Sequence, residues 1–133
     1  MGLDAYVTAV PKNKLSDADR YKVVDVEITD EHGATDIAYW RKCRQLQGWM
    51  TECYVQEGGI DAGFNCATLR LTPEILDALE LAMDSGELAA REDDHGFFWG
   101  GYPFESSDAA ELSKVLAYAR ANPDMALFYH AWY

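Results

Sequence analysis

Positive charge is scarce in this sequence. Lysine and arginine together number 11 against 23 aspartates and glutamates, so the 133-residue chain carries a formal net charge of −12. Nucleic acids and anionic membranes are bound through clustered cations, which release counterions when they meet phosphate groups. The shortage of cations therefore argues against nucleic acid and membrane surfaces as partners.

Cysteine is also sparse, and long apolar runs are missing. Cys43, Cys53 and Cys66 are an odd number, and no two of them have the Cys-x-x-Cys spacing of redox and zinc motifs. No stretch approaches the roughly 18 uncharged apolar residues that a membrane helix needs. The N-terminus lacks the basic and apolar regions of a secretory signal. We therefore expect a reduced, cytoplasmic protein.

The motifs of several enzyme classes are missing as well. The chain has neither the Gly-x-x-x-x-Gly-Lys-[Ser/Thr] nor the Gly-x-Gly-x-x-Gly pattern that cradles phosphates, and no His-Glu-x-x-His metal motif. It also lacks the Gly-x-Ser-x-Gly turn of serine hydrolases. We therefore expect no catalytic residue, no metal and no cofactor, and we regard enzymatic activity as the weaker alternative.

The chain does contain enough apolar material for a core. Apolar residues make up 49% of it, a share typical of globular proteins. A chain of 133 residues has the length of one domain. We expect a single α+β domain over residues 1–133.

Hydrophobic periodicity predicts the order β-β-α-β-α-β-α-β. The strands are expected at 3–10, 21–29, 64–71, in the first half of 97–104, where the glycines are expected to end it, and at 125–133. The helices are expected from Thr35 or Asp36 to about Val55, from Thr72 to Gly86, and from Ser107 or Asp108 to Asn122. Because helices and strands do not strictly alternate, we predict an antiparallel or mixed sheet of about five strands with the three helices mainly on one face.

The first predicted helix has an apolar stripe. Tyr39, Cys43, Leu46, Met50 and Cys53 recur at steps of 4, 3, 4 and 3 residues, as one face of an α-helix requires. In such a stripe the cysteines are expected to be buried small hydrophobic residues and not reactive thiolates.

Several segments together resemble a group of small phage and bacterial proteins. They are MGLDAYV at the start, IAYWRKCRQLQGWM, LTPEILDALE, GFFWG, and FYHAW near the end. Members of this group often have Ala-Asn-x-Ile-His after Tyr-Trp-Arg-Lys, where this chain has Cys43, Arg44 and Leu46-Gln47, so any role of that histidine is absent here. The resemblance implies a phage or prophage context in a bacterial host cell and a shared fold, but no reaction.

Tyr39, Trp40, Arg41 and Lys42 place two aromatic side chains next to two cations. One interpretation is an anion pocket, in which Arg41 grips a phosphate or carboxylate and Trp40 stacks on the ligand. The other is a set of core aromatic residues whose neighbouring cations pair with acids. Asp4 in the first strand is expected to pair with one of the two cations or with a backbone donor.

Phe98 and Trp99 lie in the densest aromatic segment, residues 97–104, and in the glycine-flanked stretch 96–101. This segment could line a cleft, although an aromatic strand packed against the helices is the simpler interpretation. His130 lies in the C-terminal strand, where a nearby serine or cysteine could use it as a base, but no nucleophile motif accompanies it.

The acidic residues are dispersed along the chain, which usually serves solubility. A more specific interpretation is that regularly spaced carboxylates mimic nucleic acid and occupy a basic groove on a host protein. One predicted helix face would suit it, formed by Asp77, Glu80, Asp84 and Glu87.

Two hypotheses about function follow. The first is a small acidic interaction protein, a phage or prophage accessory factor that acts on a host protein, for example by interfering with host defence. The second is a ligand-binding or enzymatic domain that recognises a phosphate- or carboxylate-bearing small molecule near Trp40, Arg41, Lys42 and the 96–101 segment. Either hypothesis is compatible with a homodimer.

Overall fold

The computed structural model describes residues 2–93 and 99–133, and it confirms the predicted α+β class. The strands are β1 (Asp4–Pro11), β2 (Thr35–Arg41), β3 (Thr68–Arg70) and β4 (Met125–Trp132). The helices are α1 (Arg44–Gln56), α2 (Pro73–Asp84) and α3 (Ser106–Ala121), and short 3₁₀ turns span Lys12–Lys14 and Asp30–His32. In these described residues, no helix is long and apolar enough to cross a lipid bilayer.

The strands form one antiparallel sheet in the order β2-β1-β4-β3. β1 and β4 are the central strands and pair along all 8 residues of each. The register between β1 and β2 shifts between Val7 and Thr8, as at a β-bulge. The sheet has four strands where about five were predicted, and within the described residues the order is β-β-α-β-α-α-β.

The predicted strand at 21–29 is wrong except for one bridge. Val24 pairs with Leu69 on the outer side of β3. The next residue, Asp25, has φ +58°, a left-handed conformation that an L-residue rarely adopts and that interrupts a strand. Its carboxylate accepts a hydrogen bond of 2.6 Å from the hydroxyl of Tyr54 in α1, which holds the turn in place.

The predicted start of the first helix is also wrong, because residues 35–41 form β2 and α1 begins at Arg44. Within β2, Ala38 and Trp40 are buried while the residues between and after them are exposed, which is the two-residue period of a strand. Lys42 has φ +53°, so the chain turns there between strand and helix. Of the predicted apolar stripe, Tyr39 therefore lies in the strand, whereas Leu46 and Met50 lie in α1 and are buried.

The predictions for α2, α3 and β4 are confirmed, with small changes at their ends. Thr72 caps α2 as predicted, since its hydroxyl accepts a hydrogen bond of 3.3 Å from the amide of Ile75. α3 begins slightly earlier than predicted, after Glu105, whose backbone amide donates a hydrogen bond of 2.9 Å to Oδ2 of Asp108 in the first turn.

Two further strand predictions need correction. The strand expected at 64–71 is confined to β3, because Phe64 and Cys66 both have positive φ angles, of +47° and +63°. Of the short strand expected in the first half of 97–104, residues 97 and 98 lie outside the described residues, and Trp99 and Gly100 are not in a strand.

The two faces of the sheet are covered differently. All three helices pack on one face, where alternate residues of β1 join a large apolar core. Its members include Ala5, Val7 and Ala9 of β1, and Leu46, Leu79 and Leu112 of the helices. On the opposite face, here called the second face, the irregular segment 15–28 covers a small core. The buried members of this core are Val10, Leu15, Val26, Ala126 and Phe128.

A buried hydrogen-bond chain ties α1 to the helix-covered face. The hydroxyl of Tyr129 donates to Oε1 of Gln47 at 2.6 Å, and Nε2 of Gln47 donates to the carbonyl of Phe64 at 3.1 Å. Tyr129 and Gln47 are both 0% exposed, and burial raises the pKa of Tyr129 well above its ordinary value. Because each polar atom in the chain has a partner, the buried amide is tolerated.

Candidate functional site

An aromatic row crosses three strands of the second face. Tyr39 of β2 lies opposite Tyr6 of β1, which in turn lies opposite His130 of β4. The ring centroids of Tyr6 and Tyr39 are 5.1 Å apart, and those of Tyr6 and His130 are 5.4 Å apart with nearly parallel planes. Tyr39 is 43% exposed, and Trp132, two residues beyond His130, is 55% exposed. The row therefore offers aromatic surface to a ligand on a rigid support.

Asp4 forms a hydrogen bond with Tyr39, which lies at one end of this row. Its carboxylate accepts a hydrogen bond of 2.6 Å from the hydroxyl of Tyr39 and lies 3.4 Å from Nη1 of Arg41, one of its expected partners. The hydrogen bond to Asp4 raises the pKa of Tyr39. Arg41 is thus ion-paired with a neighbouring carboxylate, although its side chain is 54% exposed.

A cleft of about 480 Å³ adjoins the His130 end of the row. Its walls come from all four strands and from the chain between residues 26 and 34. Three carboxylates line it, those of Glu27, Asp30 and Asp36, and no lysine or arginine among the described residues does so. We call it the acidic cleft. Concave surfaces lined by charge of one sign concentrate the electric field, so this cleft attracts cations.

A short hydrogen-bond chain crosses the floor of the acidic cleft. The hydroxyl of Thr8 donates to Oδ1 of Asp36 at 2.6 Å and lies 2.9 Å from Nε2 of His130. Because the only proton of the hydroxyl is directed at Asp36, Nε2 must be the donor to Thr8. Nδ1 of the neutral ring is then a hydrogen-bond acceptor, and it has no hydrogen-bond partner among the residues that the structure describes.

The protonation state of His130 is set by its surroundings. Burial lowers the pKa of His130, and the charge of Asp36 opposes this shift only in part. The imidazole is therefore neutral at neutral pH. The acidic cleft consequently presents hydrogen-bond acceptors, namely carboxylates and an imidazole nitrogen, and suits a ligand that brings N–H donors and positive charge.

The cysteines differ in accessibility. Cys66 is exposed and lines the acidic cleft, with its Sγ 3.6 Å from Oδ1 of Asn65. Burial raises the pKa of Cys43 to about 12 and that of Cys53 to about 11. Both thiols are therefore protonated at neutral pH and are poor nucleophiles, as expected for side chains packed beside a core.

The structure separates Trp40 from the cations that follow it in sequence. Trp40 is 2% exposed, packs in the helix-covered core, and donates from Nε1 to the carbonyl of Asp108 at 3.1 Å. Arg41 lies on the second face with Asp4, because successive strand residues point to opposite sides. Lys42 occupies the turn after β2. The four-residue run therefore does not form one pocket.

The aromatic segment near residue 100 is described only in part. Phe98 lies outside the described residues. Trp99 is 1% exposed and makes an edge-to-face contact with Tyr133, with ring centroids 5.5 Å apart. Its ring is therefore packed and does not line an open cleft.

Sequence reasoning named His130, Tyr39 and Asp4 but missed their neighbours Tyr6, Thr8 and Asp36. Thr8 and Asp36 meet only because β2 pairs with β1 across the register shift. Asp36 had been placed at the start of a helix, where a short acidic residue is a common cap. The β-branched and aromatic residues of this segment, Thr35, Ile37, Tyr39 and Trp40, were the local signal that could have indicated a strand.

No protein-family model, no curated protein and no solved structure matches this chain. The assignment of function therefore rests on its own residues.

Proposed function

We propose that this protein is a small acidic interaction protein that binds a basic segment of a partner protein on the second face of its sheet. The acidic cleft carries this proposal. It combines three carboxylates and an imidazole acceptor, and it lies next to the exposed aromatic row.

The chemistry of the cleft suits lysine and arginine side chains. A guanidinium or ammonium group donates only, and Asp36, Glu27, Asp30 and Nδ1 of His130 accept only. The faces of Tyr39 and Trp132 provide sites for cation–π contacts with further basic residues of the same segment.

Long-range electrostatics favour the same partner. The net charge of −12 draws a positively charged protein toward this chain and increases the rate of encounter, and salt screens the effect. The site then provides the local selectivity that a dispersed charge alone lacks.

The resemblance to small phage and bacterial proteins supports a setting for this activity. In that setting the protein is an accessory factor of phage or prophage origin that acts on a host protein in the bacterial cytoplasm, for example on a component of host defence. The alternative of an anion-binding pocket near Trp40, Arg41 and Lys42 has less support, because Trp40 is buried and Arg41 is paired with Asp4.

Mimicry of nucleic acid by α2 also has less support than the cleft. Glu80 is held by Arg120 of α3 at 2.7 Å, and α2 ends at Asp84, so Glu87 does not continue the helix face.

The test is the binding of a fluorescein-labelled oligoarginine peptide, followed by fluorescence anisotropy at physiological salt. Asp36→Asn is expected to weaken binding by about tenfold, because it removes one carboxylate from the cleft. The matched control Asp84→Asn makes the same change on the exposed end of α2 and is expected to change the affinity by less than about twofold.

Equal weakening by the two substitutions would show that only net charge matters, and the proposed site would then be wrong. Amide chemical-shift mapping with the same peptide provides a second readout. Shifts are expected at Thr8, Asp36 and His130, and shifts spread evenly over the acidic surface would contradict the proposal.

A further inference from the structure

A larger cleft, of about 730 Å³, lies where β3 leads into α2 and α3 leads into β4. The 3₁₀ turn after β1 and residues 20–23 complete its walls. Its volume is within the range of small-molecule sites. It shares no lining residue with the acidic cleft, although the chain from residue 15 to residue 30 contributes to both.

This second cleft is basic. Lys12, Arg20 and Arg70 line it, whereas Glu74 is the only acidic lining residue among those described. The concentration is notable because acids outnumber cations by 23 to 11 in the whole chain. We call it the basic cleft.

Two of its cations carry no carboxylate partner. Nζ of Lys12 donates to the carbonyl of Pro123 at 2.7 Å, and Nη1 of Arg70 donates to the carbonyl of Arg20. Among the described residues, neither Lys12 nor Arg70 forms an ion pair, whereas Arg20 lies 3.2 Å from Asp17.

Arg70 is partly desolvated in this position. Burial lowers the pKa of Arg70, and no acidic group offsets it. A guanidinium that has lost water and has gained only carbonyl partners is stabilised by an incoming anion. Its planar fork fits the two oxygens of a carboxylate or phosphate group.

The remaining walls of the basic cleft are mainly apolar. They include Val23, Leu71, Leu76, Met125 and Leu127. Tyr21, which also lines the cleft, is 85% exposed, so its ring is available to a ligand. Cationic groups beside an apolar wall match a molecule that carries an anionic group on an apolar or aromatic body.

We propose that the basic cleft binds a small organic anion, whose carboxylate or phosphate group contacts Arg70 and Lys12 and whose apolar body lies against the wall of the cleft. The size of the cleft and the net charge of −12 favour a small ligand, because a long polyanion would be repelled by the rest of the surface. This site is separate from the acidic cleft, and either one can exist without the other.

The test uses 8-anilinonaphthalene-1-sulfonate, an aromatic anion that fluoresces when it enters an apolar site. The wild-type protein is expected to show saturable single-site binding. Arg70→Gln and Lys12→Gln are each expected to weaken it by about tenfold, whereas the matched control Lys114→Gln, on the surface of α3, is expected to leave it unchanged. Lys12 is exposed, so its variant tests the proposal even if Arg70→Gln proves unstable.

Competition experiments identify the chemistry. Benzoate and phenyl phosphate are expected to displace the dye, and the stronger of them identifies the preferred anionic group. Benzyl alcohol has the same aromatic ring without charge and is expected to compete at least about tenfold more weakly. Three results would overturn the proposal: equal dye binding by the Lys12 and Lys114 variants, equal competition by benzyl alcohol, or displacement by inorganic phosphate as efficient as that by phenyl phosphate.

Discussion

The two faces of the sheet are built from the same four strands but are closed in different ways. On the helix-covered face, α1, α2 and α3 bring side chains such as Leu46, Leu79 and Leu112 into a large core, and each of these is 0% exposed. On the second face, the irregular segment 15–28 covers a small core, with five buried members among the described residues, and leaves the aromatic row and the acidic cleft accessible.

This difference indicates how stability and recognition are divided in this protein. Helices present regular apolar stripes that pack closely against a sheet, so water is excluded from a sheet face that they cover. Irregular backbone cannot cover a sheet so evenly, and the gaps that it leaves become clefts lined by polar groups. Substitutions on the first face should therefore affect the free energy of unfolding, and those on the second face should mainly affect binding.

The largest expected difference is in the free energy of unfolding, between a leucine-to-alanine substitution on the helix-covered face and the same substitution on the second face. Leu46→Ala should lower the free energy of unfolding by about 4 kcal/mol, because Leu46 is fully buried and leaves a closed cavity. Leu15→Ala should cost only about 2 kcal/mol, because Leu15 also lines the basic cleft and the vacated space opens to solvent. Denaturant unfolding measures both, and equal losses would mean that the second core is packed as tightly as the first.

A smaller difference is expected between two tyrosine hydroxyl groups. Tyr129→Phe should destabilise the protein by about 1–3 kcal/mol, because it leaves Oε1 of Gln47 buried without its donor. Tyr39→Phe removes an equally short hydrogen bond to Asp4, but water can replace it on the accessible face, so we expect a loss below about 1 kcal/mol. Thermal or denaturant unfolding of the two variants provides the comparison, and a larger effect at Tyr39 would contradict it.

The smallest expected effect is a pH dependence that originates on the second face. Because the pKa of His130 is lowered in the folded protein, the unfolded chain binds a proton more readily. The stabilising contribution of the neutral imidazole is therefore present at high pH and is lost as the pH falls through the ordinary range of histidine. Unfolding free energies measured at about pH 7.5 and about pH 5.5 should differ more in the wild type than in His130→Gln. An identical pH dependence in the two proteins would argue against a partly buried, neutral His130.

Local sequence patterns predicted the second half of the fold better than the first half. Thr72-Pro73-Glu74 marks the start of α2 through a cap, a fixed proline φ and a favourable charge, all of which act within one turn of helix. In the first half, the element borders depend on positive φ angles at Asp25 and Lys42, and neither position has the glycine that most clearly marks such a turn in a sequence. The alternating 21–29 segment and the helical spacing around Tyr39 were misread for this reason.

The candidate site was predictable only as separate residues. Asp4, Tyr39 and His130 were identified from their chemistry, but the cluster depends on the pairing of β1 with both β2 and β4. Thr8 and His130 are 122 positions apart in sequence and yet lie within hydrogen-bond distance. No local pattern encodes such proximity. The basic cleft was missed for the same reason, because Arg70 lies far in sequence from the other two cations, Lys12 and Arg20.

The bridge at Val24 and the contact of Glu111 with β2 have a consequence for the two exposed edges of the sheet. Exposed strand edges can pair with copies of the same chain and start aggregation. Here the outer edge of β3 is occupied by Val24, and on the outer edge of β2 the amide of Tyr39 donates to Oε2 of Glu111 at 3.2 Å. Both ends of the sheet are thus partly blocked by the chain itself, which leaves fewer free backbone groups at these edges for pairing with a second copy.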